Sequence, residues 1–168
     1  MKTWYLAALV SWPLVALANE PAPCAGDDAA RIAVSTYLQA MQARRFKDAY
    51  AHLGTAMTDG LSEEAWVRRM ALAFPRGGVS ITGIDVREPR LRQGSSDCNE
   101  AAVVPNILRS RDRINVDGIV EFELYELVHG DAGWRIAGQE TLYDAARITA
   151  IFPDIEIVEL GQADPNAR

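Results

Sequence analysis

Three helices are predicted in the first half of the chain, because its apolar residues recur at the spacing of one helix face. The first helix carries an apolar stripe over residues 32–41, and a short second helix is predicted over residues 46–53. Ser62 can cap a third helix, since its hydroxyl can accept a hydrogen bond from a free N–H of the first turn. Pro75 and the glycines that follow it are expected to end that helix.

From residue 79 the apolar period changes to two, which predicts strands. Ile81 and Ile84 fall on opposite parities, and a bulge at Gly83 would bring them back to one face. A second strand is predicted over residues 101–107, where Pro105 indicates a sheet edge or a bulge.

The strongest strand pattern covers residues 119–128, and its hairpin partner follows at residues 133–138. Glu121 and Glu123 alternate with large apolar side chains, so both are expected to face solvent on the outer side of a sheet. A short helix is expected within residues 141–151. Helices that precede strands in this way predict an α+β fold.

Residues 1–18 have the pattern of a secretory signal peptide, with an apolar core and small residues at Ala16 and Ala18. Cleavage is expected after Ala18, and residues 19–26 form a proline-containing lead-in. A transmembrane anchor is the rival interpretation, but the apolar run is shorter than the roughly 20 residues that span a bilayer. A lipoprotein signal is a second rival interpretation, although the prolines around Cys24 fit a lipidation signal poorly.

The chain has 168 residues and a formal net charge of -6, which disfavours nucleic acid as a partner. Lys2 and Lys47 are its only lysines among 17 basic residues. Such an arginine bias is typical of a GC-rich bacterial genome, so export would place the protein in a periplasm. We expect a monomer or a homodimer, with no stable membrane anchor once the signal peptide is removed.

Cys24 and Cys98 are the only cysteines. An oxidising compartment favours a disulfide between them, with two independent thiols as the alternative. Such a bond would close a loop of about 74 residues and contribute about 4 kcal/mol in the chain-entropy model.

The sequence contains no motif that would hold a metal or a cofactor. His52 and His129, the only histidines, are far apart, and no paired Cys-x-x-Cys spacing or phosphate-binding loop exists. We therefore expect no metal and no cofactor. His52 is a weak candidate for a general base, because a lone histidine near a helix end is more often a partly exposed polar residue.

Three short segments resemble a known superfamily: Tyr37 to Ala43, Phe46 to Tyr50, and Gly133 to Gly138. They are similar to the nuclear transport factor 2-like superfamily, the cystatin-like cone of the SnoaL and ketosteroid isomerase type. The resemblance implies N-terminal helices packed on a strongly curved antiparallel sheet, often around a pocket. The cone domain would then span residues 27–141, with a C-terminal extension over residues 142–168.

The same resemblance implies a pocket lined by aromatic side chains. Members with isomerase activity use a tyrosine and carboxylates in the cavity, but no residue here can be matched to that motif position by position. The sequence therefore predicts no catalytic residue. The candidate pocket residues are Tyr37, Tyr50, Trp66, Phe74, Tyr125 and Trp134.

Two arginine groups suggest a second candidate site. If neighbouring strands bring them together, their guanidinium groups would bind carboxylate or phosphate. The alternative is a solvated strand face balanced by nearby acids. The residues of this candidate anion or partner patch are Arg87, Arg90, Arg92, Arg109 and Arg111.

These patterns favour an exported, non-catalytic domain that binds a small apolar ligand or an envelope protein partner. A cofactor-independent isomerase, cyclase or dehydratase acting on a small apolar substrate is the first alternative. An envelope accessory or immunity-type protein is the second, since an acidic chain suits a basic partner.

Overall fold

The computed structural model describes residues 28–92 and 100–155. The predicted signal peptide and lead-in, both cysteines and the end of the C-terminal extension lie outside the described residues, so those assignments stay predictions. The predicted domain boundaries stay predictions as well. The three expected N-terminal helices are α1 (Asp28–Gln42), α2 (Phe46–Tyr50) and α3 (Glu63–Gly77).

Helix α3 begins as predicted and ends at the predicted glycines, although it runs past Pro75. The Ser62 hydroxyl accepts a hydrogen bond from Ala65 N at 3.4 Å. Pro75 lies inside the helix, so of the predicted stop signals it is Gly77 and Gly78 that end it. A single missing N–H is tolerated this close to the end, and the helix stops where Gly78 adopts a left-handed conformation with φ of 67°.

The strands form one antiparallel sheet in the order β1-β3-β4-β5, and the short β2 pairs with the other end of β3. Each neighbour along this path is also antiparallel. The strands are β1 (Ser80–Val86), β2 (Arg90–Leu91), β3 (Ala101–Arg111), β4 (Ile119–Gly130) and β5 (Gly133–Leu142).

The predicted bulge in β1 is confirmed by a register shift between Ile81 and Gly83. It brings Ile81 and Ile84 into the same apolar cluster against the helices. Pro105, in contrast, lies in the interior strand β3 and not at an edge. Its carbonyl accepts a hydrogen bond from Arg87 N at 2.8 Å, so its missing N–H faces the break between β1 and β2, where no ladder bond is lost.

Both faces of the sheet are covered. The inner face packs against α1, α2 and α3, through a cluster that includes Val34 of α1 and Val104 of β3. The outer face packs against α4 (Ala145–Ile151), which the Asp144 side chain caps at Arg147 N, 2.8 Å away. The outer cluster consists of Ile107, Phe122, Leu142, Ile148 and Phe152.

A second irregularity lies in β5. The register passes from Leu127 opposite Ile136 to Glu126 opposite Gly138, which leaves Ala137 as an extra residue. Because of this bulge, the side chain of Gln139 lies on the same inner face as that of Ile136. The position of Gln139 determines the composition of the candidate site.

The segment after α2 is not helical, although the pattern predicted a helix up to residue 53. It pairs instead with the exposed edge of β5. Gly54 N donates to Ile136 O at 2.8 Å, and Ile136 N donates to His52 O at 2.9 Å. These bonds tie the helical layer to the sheet.

Candidate functional site

Four polar side chains on the inner face form a hydrogen-bonded group at the centre of β3, β4 and β5. Glu123 Oε2 accepts from Asn106 Nδ2 at 2.8 Å and from the Tyr125 hydroxyl at 3.0 Å. Glu123 Oε1 accepts from Gln139 Nε2 at 2.6 Å. We call Asn106, Glu123, Tyr125 and Gln139 the Glu123 cluster.

The expectation that Glu123 faces solvent is wrong, because its residue surface is only 2% exposed. The alternation of side chains along the strand is as predicted. The face that carries Glu123, however, is the inner face, which α1, α2 and α3 cover. Tyr125 and Leu127 share that face and are buried with it. Their presence on the supposedly polar side was the signal that could have identified a buried carboxylate.

Burial dominates the electrostatics of the cluster. It raises the pKa of Glu123 above its ordinary value, against the opposing effect of the three hydrogen bonds. Burial together with the charge of Glu123 raises the pKa of Tyr37 to about 12 and that of Tyr125 well above 10. Both tyrosines therefore stay protonated at neutral pH, and the Tyr125 hydroxyl donates to Glu123.

Two acceptors in the cluster have unused capacity. Within residues 28–92 and 100–155, no arginine, lysine or histidine forms an ion pair with Glu123. In the same part of the chain the buried Asn106 Oδ1 has no hydrogen-bond partner. A buried acceptor without a donor costs about 1–3 kcal/mol, so this position favours a molecule that brings one.

The six candidate pocket residues belong to the inner apolar cluster, where they pack against one another or against its other members. Ring centroids lie 6.1 Å apart for Tyr37 and Tyr125, and 5.8 Å apart for Tyr50 and Trp66. Trp134 packs on His129 at 5.0 Å. Phe74 contacts Phe46, with ring centroids 5.1 Å apart. Of the six, Tyr125 donates a hydrogen bond to Glu123, and the pKa of Tyr37 is raised by burial and by the charge of Glu123. The pocket role of the six residues stays a prediction.

The arginine groups do not converge, although β1 and β3 are neighbours as the sequence reasoning required. Arg90 lies opposite Val103, whereas Arg109 lies six residues further along β3, about 20 Å away.

Within the first group, Arg87 Nη1 binds Asp154 at 2.8 Å, and Arg92 binds Glu126 at 3.1 Å. Arg90 donates to Ile151 O at 3.0 Å. These three arginines therefore serve contacts on the outer face, while Arg109 and Arg111 are exposed at the far end of β3.

His52 is half-buried just after α2. Burial and the charge of Arg135 lower its pKa, so it is mostly neutral near pH 7. Among the described residues, no three histidine, cysteine, aspartate or glutamate side chains come together as metal ligands. In that same part of the chain, no helix has the length and apolar character needed to cross a bilayer.

An open groove of about 330 Å³ lies between α2 and α3, lined by Lys47, Glu63, Glu64, Val67 and Arg68. Lys47 and Glu63 form an ion pair across it at 3.5 Å. Its charges are mixed and exposed, so it carries less recognition chemistry than the Glu123 cluster.

No protein-family model matches the sequence, and no curated protein matches it either. Among solved structures, the chain is similar to a domain of unknown function with a cystatin-like fold from Nostoc punctiforme. The TM-score is 0.52 at 16% identity, over 79% of this chain and 89% of that one.

Two further structures are similar at lower scores. A ketosteroid isomerase-like protein from Erwinia carotovora gives a TM-score of 0.48 at 15% identity, over 71% of this chain and 99% of that one. Bdellovibrio bacteriovorus Bd1075 gives 0.47 at 10% identity over 66% of this chain, which spans only 39% of that protein. The element order, the open antiparallel sheet and the Nostoc structure confirm that this chain has the α+β cystatin-like fold implied by its resemblance to the nuclear transport factor 2-like superfamily.

Proposed function

We propose that this protein is a non-catalytic ligand-binding domain that uses the Glu123 cluster as its polar anchor. The ligand is a small, largely apolar molecule that carries a hydrogen-bond donor such as a hydroxyl or an amine. The observation that carries the proposal is a carboxylate, 2% exposed, held beside the unpartnered Asn106 Oδ1 with no ion-pair cation among the described residues.

The surroundings of the cluster support this ligand chemistry. Tyr37, Tyr125 and Val104 give the inner face an aromatic and aliphatic character, which favours an apolar body. Gln139 is exposed, yet its amide bonds the buried carboxylate. A donor that replaces the Gln139 amide would therefore reach Glu123 from the surface of the sheet.

The proposal includes export to a bacterial periplasm, with cleavage after Ala18 and a disulfide between Cys24 and Cys98. Native mass spectrometry of the protein purified from a periplasmic fraction tests all three. The expected mass is that of a chain that starts at Asn19, and reduction of the disulfide should increase this mass by two hydrogen atoms. A mass that includes residues 1–18 would contradict cleavage, and a mass unchanged by reduction would contradict the disulfide.

Binding is tested with three probes that share a hexyl chain: hexylamine, hexanol and hexanoate. Each is titrated into the full chain and followed by NMR. We expect the amine and the alcohol to bind and the carboxylate to fail, because hexanoate would place a second charge beside Glu123. Glu123→Gln should weaken the amine about tenfold or more, the range for a hydrogen bond to a charged group.

Glu100→Gln is the matched control, since it makes the same change at an exposed glutamate that is not among the groups acting on Glu123. It should leave the binding of hexylamine within about twofold of the wild-type value. Equal binding of all three probes, or no binding of any, would overturn the proposal. Circular dichroism on each variant separates loss of binding from loss of fold.

An enzyme is the second candidate, and one contact favours it. The Tyr125 hydroxyl lies 3.0 Å from Glu123 Oε2, which pairs a protonated donor with a buried carboxyl of raised pKa. Such pairs can move a proton at a bound substrate. If a ligand recovered with the protein changes chemically on incubation, and Glu123→Gln stops the change while retaining the fold, the enzyme replaces the binding domain.

A further inference from the structure

The turn between β3 and β4 carries the most exposed aliphatic side chain among the described residues. Ile114 is 89% exposed, and Val116, two residues further, is 65% exposed. Ile119 and Val120, the first residues of β4, are 36% and 37% exposed and lie on opposite faces of the sheet, as neighbours in a strand do. We call residues 111–120 the β3–β4 tip. An isolated exposed apolar residue needs no explanation, but Ile114 and Val116 lie close together on one turn.

The tip is held in place by its neighbours. Arg113 N donates to Gly77 O at 3.0 Å, which attaches the turn to the end of α3. The Asp112 carboxylate accepts from Ile114 N at 2.7 Å and from Asn115 N at 2.6 Å. These bonds lower the pKa of Asp112, and they hold its carboxylate against the backbone of the turn. The apolar side chains are thus presented on a fixed support.

Positive charge surrounds the apolar tip. Arg109, Arg111 and Arg113 are exposed and form no ion pair with any residue in ranges 28–92 and 100–155. Asp112 and Asp117 are the only acids between residues 109 and 120, and Asp112 is engaged in the turn. Three arginines against two aspartates leave a formal charge of +1 over residues 109–120, on a chain whose net charge is -6.

We infer that the β3–β4 tip docks on a surface of anionic phospholipids. The apolar residues stand on a protruding turn and not in a groove, so a rigid partner would need a matching cavity, whereas a lipid surface yields to the tip. Ile114 and Val116 would enter between the headgroups, and the guanidinium groups would bind phosphates. An acidic protein is the competing occupant. Binding through one tip is reversible and weak.

The test places a fluorescent reporter at the tip. Ile114→Trp in the full chain is mixed with vesicles of equal parts phosphatidylcholine and phosphatidylglycerol, or of phosphatidylcholine alone. The control is Ile32→Trp on α1, where the natural side chain is 56% exposed. Wild-type protein, whose native tryptophans are Trp4, Trp12, Trp66 and Trp134, is measured with the same vesicles, and its signal is subtracted from that of both variants to remove the contribution of residues 1–18. Far-UV circular dichroism confirms that each variant is folded.

We expect the tip reporter to shift to the blue, and to be quenched by brominated acyl chains, only with phosphatidylglycerol present. The Ile32→Trp reporter should not respond. Arg109→Gln with Arg111→Gln should lower vesicle binding about 25-fold, because each basic residue near an anionic surface contributes about fivefold. Raising the salt concentration tests the same attraction without altering the arginines.

Three results would overturn the inference. One is a tip reporter whose fluorescence does not change with phosphatidylglycerol vesicles. Another is an equal response at Ile114 and Ile32, which would mean unspecific adsorption. The third is a blue shift with poly-glutamate but not with vesicles, which would assign the tip to an acidic protein partner.

Discussion

Asn106 and Glu123 lie directly opposite each other on β3 and β4, and the Asn106 amide donates to Glu123 Oε2 at 2.8 Å. The amide satisfies part of the carboxylate but leaves its own Oδ1 without a donor. A polar pair of this kind at the centre of a sheet costs desolvation on both sides. Its presence is understandable if a bound molecule supplies the missing donor, as proposed above.

The burial of Glu123 predicts a specific pH dependence of stability. Since the pKa of Glu123 is higher in the folded than in the unfolded chain, its support of the folded state is complete below the unfolded pKa. That support is lost as the pH rises through the folded pKa. The unfolding free energy of wild type minus that of Glu123→Gln should therefore decrease as the pH rises above about 4, the ordinary pKa of a glutamate. Urea titrations across that range measure it.

The same titrations on Glu100→Gln provide the control, because Glu100 is exposed and is not among the groups that act on Glu123. Asp112, Asp154 and Glu140 have lowered pKa values, so the protein loses their stabilising contributions in acid. The difference in unfolding free energy between wild type and a variant is therefore more informative than the pH curve of either protein alone. A difference that grows with pH would mean that the three hydrogen bonds to Glu123 outweigh its burial.

The sequence predicted the fold well, because fold depends on periodicity and on a few backbone signals. The change of parity around Gly83 correctly indicated a bulge, and Gly130 to Gly133 correctly indicated the β4–β5 turn. The predicted glycine stop of α3 is also confirmed, whereas Pro75 lies inside the last turn and does not itself end the helix.

The site was less accessible to sequence reasoning. Alternation assigns a residue to a face but does not say which face is covered, and here helices cover both. The inner position of Gln139 depends on the bulge at Ala137, for which the adjacent Gly138 was the available signal, since an isolated glycine in a strand can indicate a bulge. The cluster also joins residues from three strands, so its geometry exists only after the sheet has formed.

Helix α4 should be an integral part of the folded unit. Phe152 is buried at its end and packs on Phe122, with ring centroids 5.2 Å apart. Phe152→Ala should destabilise the protein by about 3–5 kcal/mol through lost burial and a residual cavity. Tyr143→Ala, at a residue that is 89% exposed, should change the unfolding free energy by less than about 0.5 kcal/mol. Equal effects in chemical denaturation would mean that α4 is not docked.

Arg87 joins the end of β1 to the segment after α4. Its guanidinium binds Asp154 at 2.8 Å and Asp85 at 3.0 Å. The hydrogen bond from Arg87 lowers the pKa of Asp154, so the stabilising effect of Asp154 is present above its unfolded pKa and is lost as the pH falls through its folded value. Arg87→Gln should return the pKa of Asp154 towards its ordinary value, as followed by carboxyl NMR.

Glu140 is the internal reference for that measurement. Its pKa is lowered by a separate hydrogen bond from Arg147 on α4. Arg87→Gln should leave this value unchanged. If the pKa values of Asp154 and Glu140 both rise, the variant has loosened α4 as a whole, and the local explanation for Asp154 is wrong.

Gly78 combines two constraints at the end of α3. Its φ of 67° is unfavourable for any residue with a Cβ, and an added Cβ would lie 3.1 Å from Arg113 Cγ. Gly78→Ala should therefore lower the unfolding free energy by roughly 1 kcal/mol or more. Gly130→Ala is the control, because an added Cβ there meets nothing within 4 Å. Urea denaturation that ranks the two variants equally would contradict the role of the left-handed cap. Since Arg113 attaches the turn that carries Ile114 to the end of α3, Gly78→Ala should also reduce vesicle binding by the Ile114→Trp reporter, which Gly130→Ala should leave unchanged.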